Sequence, residues 1–177
     1  LINDLLDVAK LSANKASFNI ETLDCSAVVG DVAATLEPEA QRKGLAFAVH
    51  APPGAVPLRT DRRALSQILI NLVGNAIKFT QQGGVEVSLE QAESPTQGNA
   101  VRVRVRDTGP GIPAQEQSRL FEAFSRVESA ERRHHEGTGL GLHLSRKLAE
   151  ALGGSIRFES TEGQGSTFIL ELLEATE

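Results

Sequence analysis

The chain has 177 residues, of which 40% are hydrophobic, 23% charged and 4% aromatic, and 18 Lys+Arg against 23 Asp+Glu leave a net charge of −5 at pH 7. That composition fits a globular domain with one sizeable core. It excludes a disulfide scaffold, because Cys25 is the only cysteine, and it argues against duplex nucleic acid, because no Lys/Arg cluster is large enough to neutralise many phosphates. No run reaches the roughly 18 apolar residues of a membrane span, and no basic region followed by an apolar stretch opens the chain. The expectation is a soluble, cytoplasmic segment without membrane contact, cut from a longer protein, since the first residues already read as helix.

Leu1 to Lys15 carry apolar residues at spacings of three and four (Leu1, Leu5, Val8; Ile2, Leu6, Ala9) with Asn3, Asp4, Asp7 and Lys10 between them, which predicts an amphipathic helix. Its stripe needs a partner, either this domain or a helical hairpin or bundle upstream. A turn at Ser12 to Ser17 leads to a short strand at Phe18 to Leu23. Ser26 to Lys43 then read as a helix with Val28, Val29, Val32, Ala33 and Leu36 on one side and a potential kink at Pro38. Leu45 to His50 and Val56 to Thr60 read as extended segments separated by Ala51-Pro-Pro-Gly54. A second helix spans Asp61 to Thr80. Val85 to Gln91 and Ala100 to Arg106 alternate as a hairpin around a polar loop at Glu93 to Asn99. Thr108 to Glu136, rich in Gly, Pro and charge, read as a long connection outside the core, with one short helical patch. Thr138 to Leu152 form a third helix, and Ser155 to Ser160 with Ser166 to Leu172 a closing hairpin. The pattern predicts an α+β fold: a two-layer sandwich, a mixed sheet covered on one face by three helices, with an N-terminal helix remnant.

The second helix carries an anomaly. Leu65, Ile68, Leu69, Ile70, Leu72, Val73, Ala76, Ile77 and Phe79 cover most of its circumference, while Gln67, Asn71, Gly74, Asn75 and Lys78 share the remaining arc of roughly 100°. Such an arc either faces water or walls a polar cleft. Two amides, a glycine and a lysine suit the cleft: amide oxygens ligate hard cations such as Mg²⁺, Lys offers a point charge to phosphate, and Gly admits a bulky ligand.

Two glycine segments add to this. Asp107-Thr-Gly-Pro-Gly-Ile112 follows a strand, and Gly137-Thr-Gly-Leu-Gly-Leu142 precedes a helix. Neither has the spacing of a P-loop or of a dinucleotide fingerprint, and glycine turns also serve architecture alone. The second segment offers backbone amides where a helix begins, a place that favours phosphate oxygens. The carboxylate of Asp107, beside glycines at a strand end, could accept from the exocyclic amine of a flat ring such as adenine. Arg126, Arg132 and Arg133 lie between the two segments, where a lid over a triphosphate would fold.

Taken in order, these segments resemble the ATP-binding catalytic domain of sensor histidine kinases, within the superfamily shared with gyrase, mismatch-repair and heat-shock chaperone ATPases. Asn71-Leu-Val-Gly-Asn75-Ala-Ile-Lys-Phe-Thr80 looks like the N box and Asp107-Thr-Gly-Pro-Gly111 like the G1 box. Leu120-Phe-Glu-Ala-Phe124 looks like the F box, Gly137-Thr-Gly-Leu-Gly141 like the G2 box, and Gly163-Gln-Gly-Ser-Thr167 like the last glycine turn. Leu1-Ile-Asn-Asp-Leu-Leu-Asp-Val-Ala-Lys10 resembles the end of the second dimerisation helix. The implied division is 1–16, the C-terminal part of a dimerisation and phosphoacceptor hairpin, and 17–177, the catalytic domain.

The resemblance implies ATP and Mg²⁺ as ligands. Asn75 would ligate the metal and Lys78 would contact phosphate. Asp107 would bind the adenine amine and Gly109 and Gly111 would shape the base pocket, with Ile112, Phe124 and Thr167 also among the nucleotide-binding residues. Gly137, Thr138, Gly139, Leu140, Gly141 and Leu142 would hold the phosphates, and Arg126 would reach the γ-phosphate. Asn71 stands where hydrolytic relatives carry a general-base Glu, and an amide cannot take that proton. The resemblance therefore implies a catalytic set of Asn71, Lys78 and Arg126, phosphoryl transfer with slow hydrolysis, and as partners a phosphoacceptor His helix, a response-regulator receiver domain and a second copy in the full-length protein. The hydrolytic clamp and a nucleotide-binding pseudo-kinase platform are the alternatives. None of His50, His134, His135 and His143 has the context of the phosphoacceptor, so this segment is not expected to phosphorylate itself at the family site.

Overall fold

In the computed structural model, residues 1–94, 98–126 and 137–174 are described. The polypeptide begins with α1 (Ile2–Ser12), which ends three residues short of Lys15 because Asn14 turns the chain at φ 55°. Only part of its apolar stripe is used: Val8 and Leu11 pack on the core, while Leu1, Ile2, Leu5 and Leu6 are exposed.

β1 (Ile20–Asp24) pairs antiparallel with β3 (Pro57–Asp61) as a separate two-stranded sheet, which local periodicity did not announce because the partners are far apart in sequence. Each strand ends in an aspartate that caps a helix. Asp24 accepts from the amide of Ser26 at 2.9 Å and opens α2 (Cys25–Arg42). Asp61 accepts from the amide of Ala64 at 2.8 Å and opens α3 (Arg62–Phe79). Pro38 does not break α2, which continues to Arg42.

The main sheet has the order β2-β4-β5-β7-β6. β2 (Ala46–His50) runs parallel to β4 (Gly84–Ser94), and β5 (Gly98–Asp107), β7 (Gly165–Leu173) and β6 (Ser155–Thr161) add antiparallel. α5 (Gly141–Ala151) completes a helical layer with α2 and α3 on one face, the two-layer arrangement expected. Period-two alternation sends Val85, Val87, Leu89, Val101, Val103, Val105, Leu170 and Leu172 into the core against Val28, Val32, Leu69 and Val73. The opposite face is charged: Arg102 bridges Glu90 at 2.8 Å and Glu171 at 2.7 Å.

Three expectations need correction. The β4–β5 hairpin is tighter than drawn: Glu93 pairs with Asn99 and Ser94 with Gly98, because a strand end beyond the core accepts polar residues. The segment after Thr108 is not wholly outside the core. Ile112 and Leu120 are buried, anchored by the Ile112 amide on Ser160 Oγ at 2.8 Å and by Gln117 Nε2 on the Ile112 carbonyl at 3.0 Å, beside the short α4 (Ala114–Gln117). The third helix starts at Gly141, not Thr138, because Gly139 adopts φ 71°, a left-handed conformation that no α-helix accommodates. Among the described residues no helix is long and apolar enough to cross a membrane.

Cys25, 1% exposed at the start of α2, tests this packing. Burial, with the neighbouring Asp24 charge adding to it, pushes its thiol up to about 12, so almost no thiolate exists at pH 8. A disulfide reagent at that pH should label the native chain far more slowly than the urea-unfolded chain. Prompt stoichiometric labelling of the native chain would contradict the buried position.

Candidate functional site

α3 shows its polar arc as the sequence foresaw. Eight apolar residues, Ala64 to Ile77, are buried, and Gln67, Asn71, Gly74, Asn75 and Lys78 are half-buried along one side. Ile70 departs from expectation: at 46% exposed it lies beside the arc, not in the core. The C-terminal end of α3 is held by Lys43, whose ammonium donates to the carbonyls of Ile77 at 2.7 Å and Lys78 at 3.0 Å. Burial holds the pKa of Lys43 below the usual lysine range, with Glu39 opposing that shift.

Against this arc stands the loop before α5. The two meet in a cavity of about 260 Å³, lined by nine residues picked out from sequence: Asn71, Asn75, Lys78, Arg126, Gly137, Thr138, Gly139, Gly141 and Leu142. Phe79, Leu120, Ser125 and Asp4 also line it and were not foreseen. An open groove of about 650 Å³ continues the cavity along α3 past Gln67 and Gly74.

Close contacts explain the glycines. A Cβ on Gly141 would collide with Oδ1 of Asn71, and one on Gly137 would stand 3.0 Å from the ammonium of Lys78. Gly139 would bring a Cβ within 2.8 Å of the backbone of Phe124 and Ser125, and its carbonyl accepts from the Phe124 amide at 3.0 Å. Phe124 itself sits at φ 62° with its side chain 61% exposed. It thus anchors the chain through its backbone and does not line the cavity. Leu140 is fully buried beneath the loop, so its side chain packs and does not reach the cavity.

The side-chain amide of Asn71 ties α3 to α5, because its Nδ2 donates to Oγ of Ser145 at 2.9 Å. Ser145, 2% exposed in mid-helix, is a site-supporting residue that sequence reasoning missed. Its only signal was a serine on the apolar side of α5.

The second half of the site lies at the end of β5. Asp107, 8% exposed, continues the inward series of Val101, Val103 and Val105. Its Oδ1 accepts from the Gly109 amide at 2.8 Å. A Cβ on Gly109 would lie 3.3 Å from both the Phe79 carbonyl and Thr80 Oγ1, so the two halves meet at the end of α3. Gly111, at φ 68°, packs against the Thr161 carbonyl with no room for a side chain. Ile112, 1% exposed, is packed in the core beside this segment and lines no part of the cavity.

Thr167 is a correction. Its register partners are Arg106 and Glu159, which places it on the charged outer face, away from Asp107. The inward neighbour is Ser166, paired with Asp107 in register and 2.8 Å from Ser160 Oγ. A one-residue offset in a strand reverses the face.

Chemically, the cavity offers amides, a lysine, an arginine and closely approachable backbone, a set suited to a polyphosphate. Among the described residues there is no group of three or more His, Cys, Asp or Glu side chains able to hold a metal. A hard cation would therefore come with the phosphates, the cavity offering it amide oxygens such as that of Asn75 and the carboxylate of Asp4. Of the histidines, His50 faces Glu86 at 3.7 Å on the outer sheet face, and Nδ1 of His143 donates to the Phe121 carbonyl at 3.0 Å. Arg132, Arg133, His134, His135 and Glu136 lie outside the described residues.

Three comparisons agree with this geometry. The family described as "Histidine kinase-, DNA gyrase B-, and HSP90-like ATPase" matches residues 60–176. The signal transduction histidine-protein kinase BarA of Escherichia coli (strain K12) is 38% identical over 174 residues, 95% of this chain and 18% of that protein. The circadian input-output histidine kinase CikA of Synechococcus elongatus is 39% identical over 180 residues, 99% of this chain and 23% of that protein. The chain thus spans about a fifth of these two relatives. Full-length ShkA, solved in complex with AMPPNP, superposes with a TM-score of 0.83 at 32% identity, covering 99% of this chain and 36% of that one.

The contact between Gly141 and Asn71 can be tested by stability. Gly141→Ala should lower thermal stability by about 1–3 kcal/mol through overpacking, despite the better helix propensity of Ala. Gly30→Ala, in α2 with nothing within 4 Å of the added Cβ, should instead raise it by roughly 0.5–1 kcal/mol. Equal effects at both positions would mean that the Asn71 contact is absent.

Proposed function

Since the chain belongs to the histidine kinase-, DNA gyrase B- and HSP90-like ATPase family, we propose that it is the catalytic part of a two-component kinase, passing the γ-phosphoryl of Mg·ATP to a histidine on a helix outside this segment. The observation that carries this reading is the convergence of Asn71, Asn75, Lys78, Arg126 and the Gly137–Leu142 loop on one cavity, with an amide, not a carboxylate, at position 71.

The roles follow from chemistry. Asp107 accepts from the adenine amine, and Gly109 and Gly111, having no side chain, let the backbone fold tightly around that carboxylate. The amides of Gly137 to Gly141 and the Lys78 ammonium receive phosphate oxygens. The Asn75 amide oxygen would hold Mg²⁺, which when bound neutralises phosphate charge. Arg126 is exposed at the edge, where it can reach the transferring group. In the step itself a histidine nitrogen forms a bond to the γ-phosphorus, the bond to the β,γ-bridging oxygen breaks, and ADP leaves. Positioning and electrostatics carry such transfer. Asn71, engaged with Ser145, has no basic lone pair to activate water, which supports transfer over hydrolysis.

In this reading residues 1–16 belong to the dimerisation hairpin and residues 17–177 to the catalytic domain. The full-length protein works as a dimer, on the cytoplasmic side, and passes phosphate to a response-regulator receiver domain. The exposed Leu1, Ile2, Leu5 and Leu6 of α1 support a partner helix.

Calorimetry with a non-hydrolysable ATP analogue and Mg²⁺, followed by labelled ATP and a separate hairpin carrying its histidine, tests the proposal. The native chain should bind and place acid-labile label on the hairpin. Asp107→Asn and Asn75→Ala should each weaken binding roughly 10- to 100-fold, as expected when a buried polar partner is lost. Brisk phosphate release without transfer would favour a hydrolytic clamp, and absence of binding would leave a platform whose glycines are only architecture.

A further inference from the structure

α1 brings a carboxylate to a cavity otherwise built to attract anions. Asp4 lines the cavity together with Asn71, Asn75 and Lys78. Asp7, three residues on and thus on the same helix face, lies in the adjoining groove, where it accepts from Gln67 Nε2 at 3.4 Å. Val8 and Leu11 hold the helix down by packing on the core. Asp4 is therefore placed by the docking of α1, and it is 39% exposed, facing the α-amino group of Leu1 at 3.9 Å.

A carboxylate in that wall gives a polyphosphate nothing to bind, and it opposes phosphate charge by Coulomb repulsion. The repulsion is greatest for the metal-free nucleotide and falls when a divalent cation cancels part of the charge. We propose that Asp4 is a specificity-determining residue: from α1 it biases the cavity toward the metal complex of a nucleoside triphosphate and against the metal-free form. The inference rests on the reading of the cavity as a nucleotide site. It also links the position of α1 to that preference, since lifting the helix removes the charge.

The test uses the full chain with its α-amino group acetylated, so that the Leu1 charge does not mask Asp4, and measures binding of a non-hydrolysable ATP analogue in EDTA and in Mg²⁺. Asp4→Asn should tighten metal-free binding about threefold or more, with the gain shrinking as salt is added, and should change Mg²⁺-dependent binding less. Asp4→Glu should retain the native discrimination. An unchanged metal-free affinity overturns the proposal, as does a loss confined to the Mg²⁺ measurement, which would make Asp4 a metal ligand instead. An equal gain from Asp7→Asn would make the effect a diffuse helix charge and also overturn it. If the native chain binds in neither condition, the nucleotide reading itself fails and the inference falls with it.

Discussion

The burial of α3 governs the cavity. Its apolar residues sit between α2, α5 and the sheet, each contributing about 1.5–3 kcal/mol when fully buried. Turning the helix by one residue, roughly 100°, would drag several of them into water and swing the amides into the core. Asn71, Asn75 and Lys78 are thus aimed by hydrophobic packing that does not include them. The Asp61 cap at one end and Lys43 at the other fix where the helix starts and stops. The Asn71–Ser145 bond then sets its distance from α5.

On that frame the second wall is made of backbone. Gly137, Gly139 and Gly141 let the loop approach α3 and the Phe124 turn more closely than any side chain would allow. The outcome is a cavity whose recognition groups are neutral or cationic, set into a chain of net charge −5. Lys78 and Arg126 give this cavity cationic groups although the chain as a whole is negative, so affinity for an anion is a property of the cavity and not of the whole molecule. Asp4 is the exception, and it comes from an element that contacts the domain through few apolar residues.

The division between the two halves of the site is also physical. The amide and lysine wall follows from helical periodicity, which is local. The Asp107 half depends on strand register: Asp107 faces inward because Val101, Val103 and Val105 do, and β7 must then present Ser166, not Thr167, at the facing position. The register of β7 on β5 is a long-range pairing, and a motif read as a string of letters contains no information about it.

What the sequence determined by itself was therefore whatever rests on short-range periodicity and on residue chemistry: the helices of the layer, most strands, the polar arc of α3, the two glycine segments, and nine of the cavity residues. Tertiary structure decided the rest. The β1–β3 sheet, the exposure of Ile70 and Phe124, the burial of Ile112 and Leu120, the face of Thr167, the tie from Ser145 to Asn71 and the arrival of Asp4 beside the phosphate-binding groups all depend on which distant segments pack together. Local pattern specifies an element and its apolar side. The neighbour that covers that side is chosen by the fold as a whole, through packing and pairing energies summed over residues far apart in the chain.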